Sequence, residues 1–299
     1  MSSLWENETH GEEPDRQLAG PSGRRLPASK PLTERGARGG LAGRSWRLLL
    51  VFGLLMLVVG AVLAWLLYGD RAGGTSVYQD SVDSGAEPMV RITNGLGRVR
   101  VKGAKGLETV EITAKRYARG FSPTSAKENA ASIPVDIARD GSTVNISSNG
   151  GRGTNVDYGL KVPRGSTVEV ESAVGDVEVS GLSNNVTVRA EGGDVSVKNV
   201  RGSVNIEAPR GDVAVESMST ETGRADITVG FGDLQLKDLV VGILEAQVEA
   251  GDADLSGRFS GGGKVFVGTG SINSWLPSGD TKDLDLEAYA GEVARDDKR

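Results

Sequence analysis

The sequence contains no cysteine, and its only histidine is His10. Disulfides, thiolate nucleophiles, zinc–thiolate sites and a lipid-modified cysteine are therefore excluded. Histidine-based catalysis is excluded for the chain beyond its N-terminal segment. Aromatic residues make up only 5% of the chain, and the net charge is −6. This acidic balance argues against nucleic acid as the partner of the folded part.

What the sequence does contain is a short repeat between residues 175 and 274. Each copy has a turn glycine, an acidic residue and then alternating apolar residues; the Gly-Asp copies start at 175, 193, 211, 232 and 251. With half-step copies between them, the unit is about nine residues, a strand and a turn, and two units make a coil of about 19 residues. The alternation gives each strand one apolar face. Since one coil cannot bury that face alone, the repeat predicts stacked coils.

The stacking predicts continuous apolar rows inside the coils. An antiparallel series of hairpins, folded as a sandwich or barrel, has the same strand spacing and is the alternative. The solenoid is favoured because the aspartate recurs once in every two units. The predicted inner rows are Val177, Val195, Val213, Leu234 and Ala253, then Val179, Val197, Val215, Leu236 and Leu255, closed by Val186/Val188, Val204/Ile206, Ala225/Ile227 and Leu244/Ala246/Val248.

The N-terminal segment has the composition of a membrane-anchored protein. Residues 1–47 are polar and rich in Gly, Pro, Ser and Arg, which predicts a disordered basic tail. Residues 48–68 carry no charge and as a helix would cover ~30 Å, which predicts a transmembrane helix. Arginines are more frequent before this stretch than after it, which predicts a cytoplasmic N-terminus. A cleaved signal peptide is the alternative, disfavoured by the long apolar run and long N-region.

The rest of the chain divides into a linker, a β domain and a short tail. Residues 69–88 are small and polar, without apolar periodicity, and are predicted to be a linker. Alternating strands begin at Met89, and a short helix is predicted to start at Ser122 and Pro123 and to end before Pro134. The β domain is predicted at residues 89–292 and a charged tail at residues 293–299.

The lead-in Y-x-L-x-V-P-x-G at residues 158–165, followed by serial G-D-V-x-V units, resembles the bacterial putative-adhesin family of unknown function. That family is related to autotransporter-adhesin-head domains. The resemblance covers about residues 89–292. It implies an all-β, single-stranded right-handed β-helix, a β-solenoid on the cell surface behind an N-terminal membrane anchor. It implies no catalytic residues. We also predict no cofactor.

One aspartate in each coil should form a column on the solenoid. A calcium ladder is one interpretation, but the calcium-binding nonapeptide repeats have the pattern G-G-x-G-x-D-x-U-x, whereas here the aspartate directly follows the glycine. We instead expect each aspartate to cap its own turn by accepting backbone N–H bonds, and we predict no metal site. The column comprises Asp176, Asp194, Asp212, Asp233 and Asp252.

These features predict a non-enzymatic protein of the bacterial cell envelope. A glycosidase or lyase on a β-helix would need long loops to wall a cleft around its carboxylates, and most turns here are about four residues long. We predict a single-pass membrane protein whose extracytoplasmic solenoid binds or scaffolds an unknown protein or glycan, and binds no nucleic acid. The alternative is an envelope-stress or signalling sensor whose basic tail contacts cytoplasmic partners or anionic lipid.

Overall fold

The computed structural model describes residues 42–68, 72–148, 153–277 and 284–298. The chain divides into two units between Tyr68 and Gly69. The first ends in helix α1 (Ala42–Tyr68), whose side chains are described for residues 51–64 and are exposed there. Within the described residues, no helix is long and apolar enough to cross a membrane, so the span at 48–68 remains a prediction. Most of the tail predicted at residues 1–47 lies outside the described residues.

The described part of the second unit is almost entirely β-structure, with one short helix. The strand lengths follow the repeat, and most strands in its regular part are four to seven residues long. In chain order the elements are β1 (Ala72–Asp83), β2 (Met89–Leu96), β3 (Val99–Ala104), β4 (Thr109–Gly120), α2 (Pro123–Ala131), β5 (Val135–Asp140), β6 (Thr143–Ser148), β7 (Asn155–Pro163), β8 (Thr167–Val174), β9 (Val177–Ser180), β10 (Val186–Ala190), β11 (Val195–Lys198), β12 (Val204–Arg210), β13 (Val213–Glu216), β14 (Ser219–Phe231), β15 (Leu234–Ala250), β16 (Ala253–Phe259), β17 (Gly263–Thr269), β18 (Ile272–Pro277), β19 (Leu284–Ala290) and β20 (Val293–Lys298).

The strands stack in two parallel ladders, which confirms the solenoid over the sandwich. Ladder A runs β7, β3, β9, β11, β13, β15, β16, β18, β20. Ladder B runs β6, β2, β8, β10, β12, β14, β15, β17, β19. The register places Val177 beside Val195 and Val186 beside Val204. Every predicted inner row is confirmed.

The core is the space between the two ladders, filled by the inward side chains of each strand. Val179, Val197 and Val188 are fully buried, and burial of each such side chain contributes about 1.5–3 kcal/mol. A third inner row, which was not predicted, lines the corner between the ladders. It consists of Leu182, Val200, Met218 and Leu239, all buried.

The first coils depart from a simple sequential solenoid. The β2–β3 coil lies between the β6–β7 coil and the β8–β9 coil. After β3 the chain leaves the stack, and it returns as β6–β7 on one side of the β2–β3 coil before it continues as β8–β9 on the other side. The excursion runs through β4, α2 and β5. β4 pairs antiparallel with β7 and β1, and β5 pairs antiparallel with β6. The uniform single-stranded helix predicted from residue 89 is therefore wrong for this region. Helix α2 is confirmed, with Ser122 as its N-cap.

Two of the predicted boundaries are also wrong. The linker predicted at 69–88 contains β1, paired along its whole length with β4. The sequence of β1 lacks a clean apolar alternation because helix α2 packs closely against it and requires small residues. A Cβ on Gly74 of β1 would overlap the backbone of Ala126 in α2. The tail predicted at 293–299 forms β20, since its backbone continues ladder A beside β18 despite its charged side chains.

Candidate functional site

The aspartate column is present, but its hydrogen bonds differ from the prediction. Each side chain accepts the backbone N–H of the corresponding residue one coil further on, rather than an N–H of its own turn. Oδ1 of Asp233 lies 2.9 Å from the nitrogen of Asp252, and Oδ1 of Asp252 lies 2.8 Å from that of Ser271. The column therefore satisfies backbone donors at the turns and joins consecutive coils. Bonds of this kind also run from Asp194, Asp212 and Asp233 to Asp176, Asp194 and Asp212.

This geometry gives the aspartates a structural role. The described residues contain no group of three or more histidine, aspartate or glutamate side chains placed to hold a metal ion. The bonded Oδ1 atoms point along the stack to the next coil, and an acceptor for a backbone N–H in a turn is worth about 1 kcal/mol. The column that the sequence singled out is thus a stacking device, and the candidate functional site lies elsewhere.

A groove of about 540 Å³ opens on the outer side of ladder A near its C-terminal end. It exists because β16 carries the small residues Ser256 and Gly257 between two coils with larger ones. A Cβ on Gly257 would overlap the carbonyl oxygen of Leu239, so no side chain can fill this position. Ser256 lies beside Trp275 of the next coil. The two small residues therefore form the floor of what we call the Trp275 groove.

One wall of the groove is a β-bulge at Lys237 and Asp238. The register between β15 and β16 shifts between Leu236 and Leu239. Asp238 has a φ of 54°, a left-handed conformation that aspartate tolerates better than most residues. Its backbone N–H donates to Oγ of Ser256 at 3.2 Å. Bulges commonly redirect a side chain, and here Asp238 lines the groove.

The opposite wall is Trp275, whose residue surface is 44% exposed although its neighbour Leu276 is buried. Arg258 also lines the groove. Neither the Asp238 carboxylate nor the Arg258 guanidinium forms an ion pair or side-chain hydrogen bond with the residues that the structure describes. The groove thus combines an aromatic surface with one free acceptor group and one free donor group. This is the composition of a site that binds an amphipathic small molecule.

The sequence profile of the Toastrack DUF4097 family matches residues 93–298. The chain belongs to this family. The match includes the coils of the solenoid and all residues of the Trp275 groove. The Toastrack profile confirms the resemblance to an adhesin-like family of unknown function.

Solved structures similar to this Toastrack chain come from several bacteria. A putative adhesin from Bacteroides fragilis is 13% identical with a TM-score of 0.41, and the match covers 74% of this chain and 97% of that one. A putative adhesin from Parabacteroides distasonis is 16% identical with a TM-score of 0.41 and the same coverage. A putative cell adhesion protein from Clostridium sporogenes is 8% identical with a TM-score of 0.30, covering 77% and 100%. No curated protein matches the sequence.

The groove of this Toastrack chain was not predicted from the sequence, although two signals for it were present. Trp275 is the only tryptophan after residue 65, and it stands on an outward position of the repeat. Ser256 and Gly257 replace larger residues at one point of a regular pattern. An exposed aromatic residue beside a missing pair of side chains predicts a concave surface, but only once the coil register is known.

Proposed function

We propose that this protein is held in a bacterial membrane by residues 48–68, with its N-terminus in the cytoplasm, and that its extracytoplasmic β-solenoid binds a glycan in the Trp275 groove. The solenoid then acts as a rigid binding and scaffolding element of the cell envelope, without catalysis. The observation that carries the binding role is the exposed Trp275, which lines the same groove as two charged side chains, Asp238 and Arg258, that have no partner among the described residues.

A saccharide fits the chemistry of this groove. A sugar ring presents a flat C–H surface that packs on an aromatic face, while its hydroxyls both donate and accept hydrogen bonds. The carboxylate of Asp238 can accept from such hydroxyls, and the guanidinium of Arg258 can donate to them. The walls are two coil steps apart, about 10 Å, and the groove is open at the surface. It can therefore hold one residue of a longer saccharide chain.

The membrane anchor is supported by the uncharged residues 48–68 and by helix α1, which contains them. Leu54 and Leu57 are 65% and 69% exposed, and the described side chains are apolar in every direction around the helix. A helix that is apolar all round is stable in a large core or in a bilayer. Four arginines precede the run at positions 35, 38, 44 and 47, and only Arg71 follows it closely, which supports a cytoplasmic N-terminus.

Glycan binding can be tested with the full chain, purified in detergent, on an array of bacterial and host cell-surface saccharides. We expect a bound saccharide whose affinity falls about tenfold or more in Trp275→Ala, because the few residues that dominate a binding site are enriched in tryptophan and cost about 2 kcal/mol or more when truncated. Tyr289→Ala is the matched control, since Tyr289 is 84% exposed but lies outside the groove. Unchanged binding by Trp275→Ala, or equal loss in both variants, would contradict the proposal.

The orientation is tested separately by adding protease to spheroplasts. The second unit should be digested from outside, while an epitope placed before residue 48 should remain intact. A protected C-terminal epitope would show that the orientation is wrong, and it would leave the measurement of glycan binding by the purified protein unaffected.

A further inference from the structure

The two ladders end differently at the C-terminal end of the solenoid. In ladder A, the last inward positions become polar. Leu255 of β16 lies beside Ser274 of β18, and Ser274 lies beside Arg295 of β20. Arg295 is exposed, and Val293 is 39% exposed where Ile272 of the preceding coil is fully buried. A charge at an inward position is a common protection against pairing of an edge strand with another chain. The sequence of β20 therefore closes ladder A.

Ladder B shows no such protection. Its last strand, β19, keeps apolar residues at its inward positions. Leu284 and Leu286 are 6% and 9% exposed, and Leu286 continues the same row as Ala246 and Val265. In this respect β19 has the sequence of an internal strand, yet it pairs only with β17 among the described residues.

The backbone of β19 is also oriented for further pairing. In earlier strands of ladder B, the N–H of an inward residue donates to the next coil: Val186 to the oxygen of Ser203, and Leu244 to that of Gly262. The same register places the N–H groups of Leu284, Leu286 and Ala288 on the open side of β19. These donors have no described strand to receive them, and unpaired edge donors are the groups that an added strand uses.

At the opposite end of the solenoid, the first strands of the two ladders are covered by other strands. There, β6 is covered by the antiparallel strand β5, and β7 is covered by β4. The edge strands at that end are therefore β5, which carries the exposed charged residues Arg139 and Asp140, and β1, and neither belongs to a parallel ladder. Of the two last strands of the ladders, β20 is protected by charge and β19 is not. This asymmetry singles out β19 as the place where the solenoid can be extended.

The outward side chains of β19 define the charge of its partner. Asp285 and Glu287 are exposed acids on the outer face. In the preceding coil, Lys264 carries the opposite charge, and its Nζ lies 2.9 Å from Oε2 of Glu287. Cross-strand pairs of opposite charge stabilise a sheet, and like charges directly opposite destabilise it. A second copy pairing through β19 would place acid beside acid.

We propose that the open edge of β19 binds an extended segment of a partner protein in which apolar and basic residues alternate. The apolar residues continue the inner rows of Leu284 and Leu286. The basic residues pair with Asp285 and Glu287 on the outer face. Main-chain hydrogen bonds to β19 supply affinity, and the alternation of side chains supplies specificity, as in other cases of strand addition.

The full chain, purified in detergent, can be titrated against the fluorescein-labelled peptide VKVKVKV at physiological ionic strength, with binding read by fluorescence anisotropy. We expect saturable binding, and no binding of VEVEVEV. Glu287→Lys should weaken binding about tenfold, equivalent to about 1.4 kcal/mol. Ala288→Pro should weaken it at least as much, because proline removes one of the N–H donors on the open edge. Circular dichroism checks that both variants stay folded.

Glu207→Lys is the matched control for charge. Glu207 is an exposed residue in the same outward row of ladder B, but on the internal strand β12. The Glu207→Lys variant should bind VKVKVKV with the affinity of the wild-type protein. Equal weakening by Glu207→Lys and Glu287→Lys would mean non-specific attraction to an acidic protein and would overturn the proposal. A dimer of the chain that Ala288→Pro disrupts would also overturn it, since a second copy would then be the occupant.

Discussion

Nη2 of Arg98 lies 3.2 Å from Oδ2 of Asp176 at the start of the aspartate column. Arg98 follows Gly97 as Asp176 follows Gly175, so it occupies the aspartate position of the adjacent coil. Its own backbone N–H donates to Oδ1 of Asp157 at 3.0 Å. The column therefore continues beyond its five predicted members, with a cation beside the first. Both side chains are about half exposed, so the main stabilising contribution of the column is its hydrogen bonds rather than this ion pair.

Asp233→Ala should lower the free energy of unfolding by about 1 kcal/mol, because the N–H of Asp252 loses its acceptor at 2.9 Å. Asp233→Asn should cost less than about 0.5 kcal/mol, since it keeps an acceptor and removes one charge from a like-charged column. Urea unfolding of the full chain in detergent measures both.

Asp136→Ala, which removes an exposed carboxylate on β5, is the control and should leave stability unchanged. A chelator should not alter the melting temperature of any of these proteins. A chelator-sensitive wild type, with Asp233→Asn as damaging as Asp233→Ala, would instead make the column a metal site.

Gly211→Ala should be far more damaging than the same substitution at a turn glycine that faces open space. Gly211 has a φ of 121°, and a Cβ there would overlap the carbonyl oxygen of Gly193 in the adjacent coil. Strain and overlap together should cost more than about 3 kcal/mol. Gly106→Ala is the control: Gly106 also has a positive φ, 70°, but its Cβ would meet open space, so it should cost about 1 kcal/mol. Equal melting temperatures for the two variants would contradict close coil contact at the glycines.

The regular part of the fold was predictable because each of its rules is local. Alternation placed Val195 and Val197 inside, and the recurring Gly-Asp turn fixed the register of the coils. The excursion through β4, α2 and β5 was not predictable in the same way. Its strands have the same apolar alternation as other strands, and only their antiparallel pairing with β7 and β6 differs. Strand β1 was not predicted because its packing depends on the contact between Gly74 and α2, and these residues are far apart in sequence.

The candidate site was less predictable than the fold. The Trp275 groove depends on three coils at once: a bulge in one, two small residues in the next and a tryptophan in the third. Each signal is visible in the sequence, but their alignment requires the register shift at Lys237 and Asp238. The aspartate column was found, yet its bonding partners were assigned to the wrong coil, because a side chain of this length reaches either its own turn or the next.

Arg116→Lys should destabilise the N-terminal excursion. Nη1 of Arg116 donates to the carbonyl oxygens of Ala131 and Ile133 at 2.9 and 3.0 Å, and Nη2 donates to Oγ of Ser76 at 3.0 Å. It thus ties β1 to the C-terminal end of α2, where a cation is favoured by the helix dipole. Lysine keeps the charge but lacks the planar guanidinium, whose nitrogens reach these three acceptors together. We therefore expect the free energy that stabilises β1 and α2 against local unfolding to fall by about 1–3 kcal/mol.

Hydrogen exchange should show this loss as faster exchange in β1 and α2, with the coils from β9 onwards unchanged. Arg119→Lys is the control, because the exposed Arg119 side chain makes no such bonds within the described residues. Uniformly faster exchange across the solenoid would contradict a local role for Arg116.

Tyr158 begins the lead-in motif, and it lies inside the first coils with only 2% of its surface exposed. Its hydroxyl has no hydrogen-bond partner among the described residues. Beside it, Oγ of Ser148 donates to Oδ1 of Asn94 at 3.0 Å. Burial raises the pKa of the Tyr158 phenol above its ordinary value of 10.0, and the nearby Ser148 hydroxyl only partly opposes this.

This raised pKa predicts an alkaline loss of stability that Tyr158→Phe should remove. Below about pH 10 the phenol is protonated in both states and stability does not depend on it. Above that pH the unfolded chain loses the proton while the folded chain keeps it, so the free energy of unfolding falls as pH rises towards the folded-state pKa.

Tyr158→Phe removes an unpaired buried hydroxyl, so near neutral pH it should be neutral or slightly stabilising. Urea unfolding at a series of pH values should show a shallower alkaline decline for Tyr158→Phe, whereas Tyr289→Phe, at an 84% exposed position, should decline as wild type does. Parallel curves for all three proteins would mean that the phenol of Tyr158 is not buried in the folded protein.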